Sequence, residues 1–243
     1  MLALFYKEIS SFLSSLTGYL VIGVFLLLNG LFLWVLPSDF NIPDFGYASL
    51  DSLFIIAPFV FLFLVPAVTM RSFAEEKRHG TIELLFTKPL TDWQIVMAKF
   101  LAGLSLVVIA LLPTLLYVFS VYKLGLPVGN LDQGGIAGAY TGLFFLAAAF
   151  VAIGLLSSSL TDNQIISFIL AVLMSGFMFI GFDFIFSLGW LGSFDLFIQQ
   201  LGIEAHYKSV SRGVIDTRDL IYFLSVITLF LSLTKLSLSS RNW

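Results

Sequence analysis

Charged side chains are scarce in this chain, so those that could do chemistry stand out. The densest group is RSFAEEKRHGTIELLFTKPLTDWQIVMAK, residues 71–99. It holds nine of the 27 formal charges (12 basic plus 15 acidic): Arg71, Glu75, Glu76, Lys77, Arg78, Glu83, Lys88, Asp92 and Lys99. Interleaved acids and bases of this kind suit ion pairing and contact with another protein. Asp183 is the one acid well inside a long apolar run. A carboxylate within a bilayer is costly and points to gating or ion coupling. It stands five residues before Leu188, so a carboxylate that simply reaches interfacial water is the other open reading. A third polar patch holds His206, Arg212, Asp216, Arg218 and Asp219.

Several enzyme classes lack their residues. There is no cysteine for disulfide or thiolate chemistry. No H-E-x-x-H is present, nor a Ser–His pair within one membrane depth, nor a run of arginines like a voltage sensor. No G-x-x-x-x-G-K-[ST] loop is present to cradle ATP phosphates, so ATP-derived energy must come from another chain.

The elements that position these groups follow from composition. Of the 243 residues, 59% are hydrophobic and 11% charged, with a mean hydropathy of +1.02. An ordinary soluble domain carries about 25% charge, and with so little polar surface a soluble chain would expose large apolar patches. The chain therefore reads as an all-α membrane protein, a single domain over residues 1–243, with no character of a nucleic-acid binder. Six apolar runs are long enough to span, at about 20 residues each: 19–36, 53–70, 100–122, 136–156, 165–188 and 220–238. Long unbroken runs of this kind do not fit the short alternating strands of a β-barrel. Pro58, Pro66 and Pro113 predict kinks within spans two and three.

Placing the N-terminus in the cytoplasm puts eight basic residues inside (Lys7, Arg71, Lys77, Arg78, Lys88, Lys99, Lys235, Arg241) and four outside (Lys123, Lys208, Arg212, Arg218). That bias favours both termini in the cytoplasm of a multi-pass inner-membrane protein. His79 and His206 then fall on opposite sides and cannot share a metal. In residues 1–18, Leu2, Phe5, Ile9, Phe12, Leu13 and Leu16 recur at helical spacing opposite Lys7, Glu8 and four serines. This predicts an amphipathic helix lying in the interface, not a cleaved signal peptide, with Gly18 as its end.

Within residues 71–99 the punctuation is readable. A helix leaves span two through Glu75–Arg78. Gly80 suits a left-handed stop. Thr81 can then cap a short helix, TIELLFT, that ends before Lys88-Pro89. Thr91 and Gln94 form a capping box that starts span three. In the short helix, Ile82, Leu85 and Phe86 share a face and need a surface to rest on, because so short a helix is marginal in water. Docking into a cytoplasmic partner and an ordinary solvated loop remain equal readings on spacing alone.

Residues 66–99, with Glu76-x-x-x-Gly80-Thr81-Ile82-Glu83-x-Leu85, then Pro89-Leu90 and Lys99, resemble the coupling-helix region of type-2 ABC exporter permeases. They look most like the gliding-motility-associated ABC transporter permease, and are similar to the permease of nitrous-oxide-reductase maturation systems. His206-Tyr207, Arg212-Gly213-Val214-Ile215-Asp216, Arg218-Asp219 and the ending Ser239-Ser240-Arg241-Asn242-Trp243 are similar to the same subfamily. The resemblance implies an interfacial helix (1–18), six transmembrane helices, a cytoplasmic coupling helix between spans two and three (71–99) and an outer re-entrant segment before span six (189–218). It implies ATPase contacts at Glu76, Gly80, Thr81, Ile82, Glu83, Leu85 and Phe86, with a smaller second contact in the inside turn 157–164 at Asp162. Two separate ATPase subunits would hold ATP and Mg²⁺, while this chain carries no cofactor or metal. A second permease copy or paralogue and, in the gliding-motility system, an auxiliary membrane protein complete the implied partners.

Asp183, His206, Arg212 and Asp216 are candidate gate or translocation residues. Leu196, Phe197, Ile198, Leu201 and Ile203 suggest a short helix dipping into the outer leaflet, either a gate or a loop resting on lipid. Asn29, Thr114, Ser167 and Ser175 read as interhelical hydrogen-bonding groups, and Gly138 with Gly142 as a close-contact G-x-x-x-G. Two rival functions stay open on the residues: an ion-coupled secondary transporter using Asp183, and a non-transporting scaffold that recruits a cytoplasmic protein.

Overall fold

A backbone buried in lipid must satisfy its own N–H and C=O groups, and long apolar runs do so as helices. The computed structural model describes residues 1–189, 192–213 and 216–240; for Phe45 and Ser193 it describes only the backbone. Trp190 of the outer segment, Val214-Ile215 of the polar patch and the ending Arg241-Asn242-Trp243 lie outside the described residues.

Helix α1 (Leu2–Leu13) is amphipathic and meets α2 (Leu16–Trp34) at a sharp corner. Gly18 does not end α1, contrary to the expectation from sequence. It lies inside α2, and Ser15 caps that helix by accepting from the Gly18 N–H at 3.2 Å. Gly18 is needed at the corner because a Cβ there would run into the Phe12 carbonyl oxygen. A short α3 (Ile42–Phe45) follows, then α4 (Asp51–Thr69), which contains Pro58 and Pro66 and runs without interruption. Next come α5 (Ala74–Arg78) and α6 (Ile82–Phe86). The Thr91–Gln94 capping box opens α7 (Asp92–Leu111). At Pro113 the helix tightens into a 3₁₀ turn, Leu112–Thr114, before α8 (Leu115–Leu124), an interruption at the proline where a kink was expected.

Helix α9 (Gln133–Leu160) and α10 (Gln164–Gly176) are joined by a turn of only residues 161–163. The inside turn expected over 157–164 is shorter because α9 continues through its serines. A π-helical stretch, Phe177–Gly181, separates α10 from α11 (Phe182–Ser187), an interruption with no proline to announce it. A 3₁₀ turn (Gly192–Phe194), α12 (Asp195–Gln199), α13 (Ile203–Ser211) and α14 (Thr217–Ser239) complete the chain.

Among the described residues, six helical stretches are long and apolar enough to cross a membrane: Leu16–Trp34, Asp51–Arg78, Asp92–Leu124, Gln133–Leu160, Gln164–Ser187 and Thr217–Ser239. Helix α9 is the hub. It packs against α4, α7, α10, α13 and α14. Its small residues, Ala147–Ala149, Ala152 and Gly154, let neighbours approach; a Cβ on Gly154 would overlap the Thr69 hydroxyl. Helices α2 and α10 lie at the periphery and turn Leu20, Leu27, Ile169 and Leu173 outward.

Candidate functional site

One end of the bundle gathers α1, α5, α6, the α9–α10 turn and the end of α14. Lys99, in the second turn of α7, is almost fully buried there. Its ammonium lies 3.0 Å from Glu8 on α1 and 3.1 Å from Glu76 on α5, and donates to the Ser72 carbonyl at 2.6 Å. It also sits 5.1 Å from the centre of the Phe73 ring. Lys7 adds a second, more exposed contact to Glu76 at 3.2 Å. Burial disfavours the Lys7 ammonium, but Glu8 and Glu76 outweigh it and hold its pKa above the ordinary lysine value. Arg71 donates to Thr17 at 2.7 Å, tying α2 to the same cluster. Lys7, Glu8, Arg71, Glu76 and Lys99 line a cavity of about 290 Å³ under α1.

A second anchor is Ser158 on α9. Its hydroxyl accepts from the Phe73 and Ala74 N–H groups at 2.9 and 3.0 Å and donates to the Met70 carbonyl at 3.0 Å. It therefore satisfies the backbone where α4 stops and α5 begins. Lys77 donates to the neighbouring Ser159 carbonyl, which also accepts from Ser237 on α14 at 3.2 Å.

Gly80 has φ +67°, the left-handed stop read from sequence. Thr81 precedes α6, but its side chain does not cap the helix; its hydroxyl reaches back to the Glu76 carbonyl at 3.4 Å. The apolar face of α6 is also placed differently from expectation. Ile82, Leu85 and Phe86 are half-buried against the chain's own core, while Glu83 and Leu84 are exposed, Leu84 by 64%. An open groove of about 1040 Å³ runs beside them, lined by Lys77, Gly80, Glu83, Thr87, Ser159 and Ser239 among others. Of the expected contacts, Glu76 faces inward to Lys99, Gly80, Thr81 and Glu83 face outward, and Asp162 is exposed in the α9–α10 turn. Glu8, Ser158 and Leu84 were not singled out from sequence. No periodicity reports that a serine at the end of one span binds the backbone of another.

The polar groups of the other end are further apart in role. Asp183 on α11 accepts from Gln199 on α12 at 3.0 Å. Arg212 donates to the Lys208 carbonyl of its own helix at 3.0 Å, and Asp216 caps α14 through the Arg218 N–H at 2.9 Å. His206 joins Asp219 on α14 at 2.6 Å. Tyr207 donates to the Phe54 carbonyl at 2.6 Å, fixing α13 to α4. Gly138 and Gly142 make their close contact within the chain, against Gly213, Val210 and Tyr207. Thr114 bonds across helices to Tyr140 at 2.9 Å, whereas the Asn29 amide donates only to Phe25 of its own helix. Among the described residues, no cluster of three or more His, Asp or Glu side chains is placed to hold a metal ion.

Two comparisons bear on this arrangement. Residues 38–237 match the model of a family described as ABC-2 family transporter protein. A segment of 121 residues, 47% of the chain, is 31% identical to the probable multidrug ABC transporter permease YbhR of Escherichia coli K12, and to the same extent to its counterpart in E. coli O157:H7. The matched segment spans 31% of the length of these relatives. With six apolar helices and a family match over most of its length, the chain belongs to the ABC-2 transporter family.

Proposed function

We propose that this chain is the membrane-spanning permease subunit of an ATP-driven exporter and that α5–α6 docks on a separate ATPase carrying ATP and Mg²⁺. The observation that carries the reading is the double anchoring of α5. Lys99 ties it to α7 and α1, and Ser158 ties it to α9, while Glu83, at an open groove, and Leu84 stay exposed. Three ABC-type features meet in one segment: a short helix, rigid attachments to several spans, and an exposed acid and leucine for a partner. A partner that closes on nucleotide would pull α6. The anchors would pass that displacement to α7 and α9 as a rigid-body rocking of the bundle. Asp162, exposed in the neighbouring turn, supplies the second contact.

The finer assignment is the gliding-motility branch, carried by the resemblance of residues 66–99 and of the patch from His206 to Asp219. In that assignment a second permease copy covers part of the lipid-exposed surface, an auxiliary membrane protein joins it, and both termini lie in the cytoplasm.

The test is affinity purification of the tagged chain from its native membranes. An ABC ATPase is expected to co-purify with the wild type and to fall by about tenfold with Leu84→Asp or Glu83→Arg, as for loss of an interface anchor worth about 1.4 kcal/mol. Both side chains are exposed, so the melting temperature should not change. Undiminished ATPase recovery in both variants would reject α6 as the docking site.

A further inference from the structure

A cleft of about 320 Å³ opens between α4, α13 and the π-helical stretch Phe177–Gly181. It lies away from α1 and α6, and its floor is aromatic. Phe179, almost fully buried, stands edge-on to Phe59 at 5.9 Å between ring centres and to Tyr207 at 6.3 Å. The Tyr207 hydroxyl is spent on the Phe54 carbonyl, so it adds no free polar group to that floor. Ile55 and Phe59 remain 51% and 48% exposed, which opens the cleft along the flank of α4.

The rim is charged. Glu204 and Lys208 pair at 2.7 Å and cancel each other. Two exposed groups of opposite sign are left over: Asp51 in the first turn of α4 and Arg212 at the end of α13. Among the described residues the Asp51 carboxylate makes no hydrogen bond or ion pair. Arg212 uses only Nε, on the Lys208 carbonyl. Its two terminal nitrogens stay free, and they form the planar fork that suits a phosphate.

We propose that this cleft binds a zwitterionic phospholipid, with its phosphate on Arg212, its ammonium on Asp51 and the start of one acyl chain against Phe59 and Phe179. The charge balance selects the head group. A purely anionic head would meet Asp51 across the cleft from Arg212, whereas a head carrying both signs answers both. The floor selects an amphiphile. A soluble zwitterion would satisfy the rim but leave the aromatic rings uncovered.

The depth agrees. From Asp51 to Phe59, eight residues of helix rise by about 12 Å, within the roughly 15 Å of hydrocarbon that one leaflet supplies. A head group at the first turn of α4 therefore puts the first carbons of its chain beside Phe59, and the remainder of the lipid stays in the bilayer. A lipid so held touches α4, α13 and the π-helical stretch together. It would brace α13 on the side where the Tyr207 hydroxyl already ties that helix to α4.

The inference stands apart from the ATPase reading and is tested without it. The full chain, delipidated in detergent, would be titrated with dioleoyl phosphatidylethanolamine or dioleoyl phosphatidylglycerol, and bound lipid followed by native mass spectrometry. Phosphatidylethanolamine should bind about tenfold more tightly, as for one charge-assisted hydrogen bond. Asp51→Asn should remove that preference. Arg212→Gln should weaken both lipids by about tenfold. Both side chains are exposed, so the variants should keep the wild-type melting temperature. Lys123→Gln, a basic residue on α8 outside the cleft, should change nothing. O-phosphoethanolamine, the head group without chains, should not displace the lipid. No preference in the wild type, the result expected if a second copy of the chain covers the cleft, would overturn the inference. So would a preference that survives Asp51→Asn, or phosphatidylethanolamine binding that Arg212→Gln leaves intact. Displacement by O-phosphoethanolamine would overturn it in favour of a soluble zwitterion.

Discussion

Lys99 on α7 holds Glu76 on α5 at 3.1 Å inside a site that solvent barely reaches. The relationship joins the first turns of the third span to the charged stretch beyond the second, and Glu8 brings the amphipathic α1 into the same contact at 3.0 Å. An ammonium so placed replaces its lost water with two carboxylates and the Ser72 carbonyl.

Removing that ammonium should therefore be costly. Lys99→Met would leave Glu8 and Glu76 facing each other with no buried counter-charge. A loss of about 3–5 kcal/mol is expected, read as a drop in melting temperature and as proteolytic release of α1. Lys7→Ala removes a contact to the same Glu76, but from an exposed side chain, and should cost less than about 1 kcal/mol. Equal losses in the two variants would show that burial does not set the strength of this cluster.

Ser158 makes a different prediction, because its three hydrogen bonds all go to backbone at the α4–α5 junction. Ser158→Ala leaves the Phe73 and Ala74 N–H groups buried without an acceptor, at a cost of about 1–3 kcal/mol each before relaxation. Exchange protection at residues 70–78 should fall while that of α9 holds. If the proposed coupling runs through this junction, ATP hydrolysis by the purified complex should lose its dependence on the permease. Ser158→Thr, which keeps the hydroxyl, separates the hydrogen bonds from the packing and should restore protection wherever its methyl fits.

Much of this was legible in the chain. Six long apolar runs, the Gly80 stop and the Thr91–Gln94 capping box are local features and appear at their expected places, and of the three prolines read as kinks Pro113 interrupts its helix while α4 runs through Pro58 and Pro66. What was misread depends on partners distant in sequence. Helical spacing identifies the face made by Ile82, Leu85 and Phe86 but not what it touches. The chain's own core takes that face, which leaves Leu84 outside. Gly18 read as a helix end because a glycine that stops a helix and one that makes room for a carbonyl look alike in sequence. Ser158 and the His206–Asp219 pair carried no spacing signal, since each contact joins different helices.

The close approach of α13 to α9 supplies a steric prediction with an internal control. A Cβ added at Gly138 would stand 2.5 Å from the Gly213 Cα and 3.1 Å from the Val210 carbonyl oxygen, both backbone atoms that cannot rotate away. At Gly142 the nearest atoms are the Val210 and Tyr207 side chains at 3.4 and 3.5 Å, ordinary contact distances. Gly138→Ala must push α13 off the bundle and should cost about 1–3 kcal/mol. Gly142→Ala should be nearly neutral, since the added methyl fills space already at contact. The measurement is the melting temperature of each variant with exchange protection over residues 203–213. Because Tyr207 and His206 sit on the displaced helix, Gly138→Ala should also weaken the Phe54 and Asp219 contacts together. Equal tolerance of the two alanines would mean that α13 is held by its polar contacts and not by the glycine face.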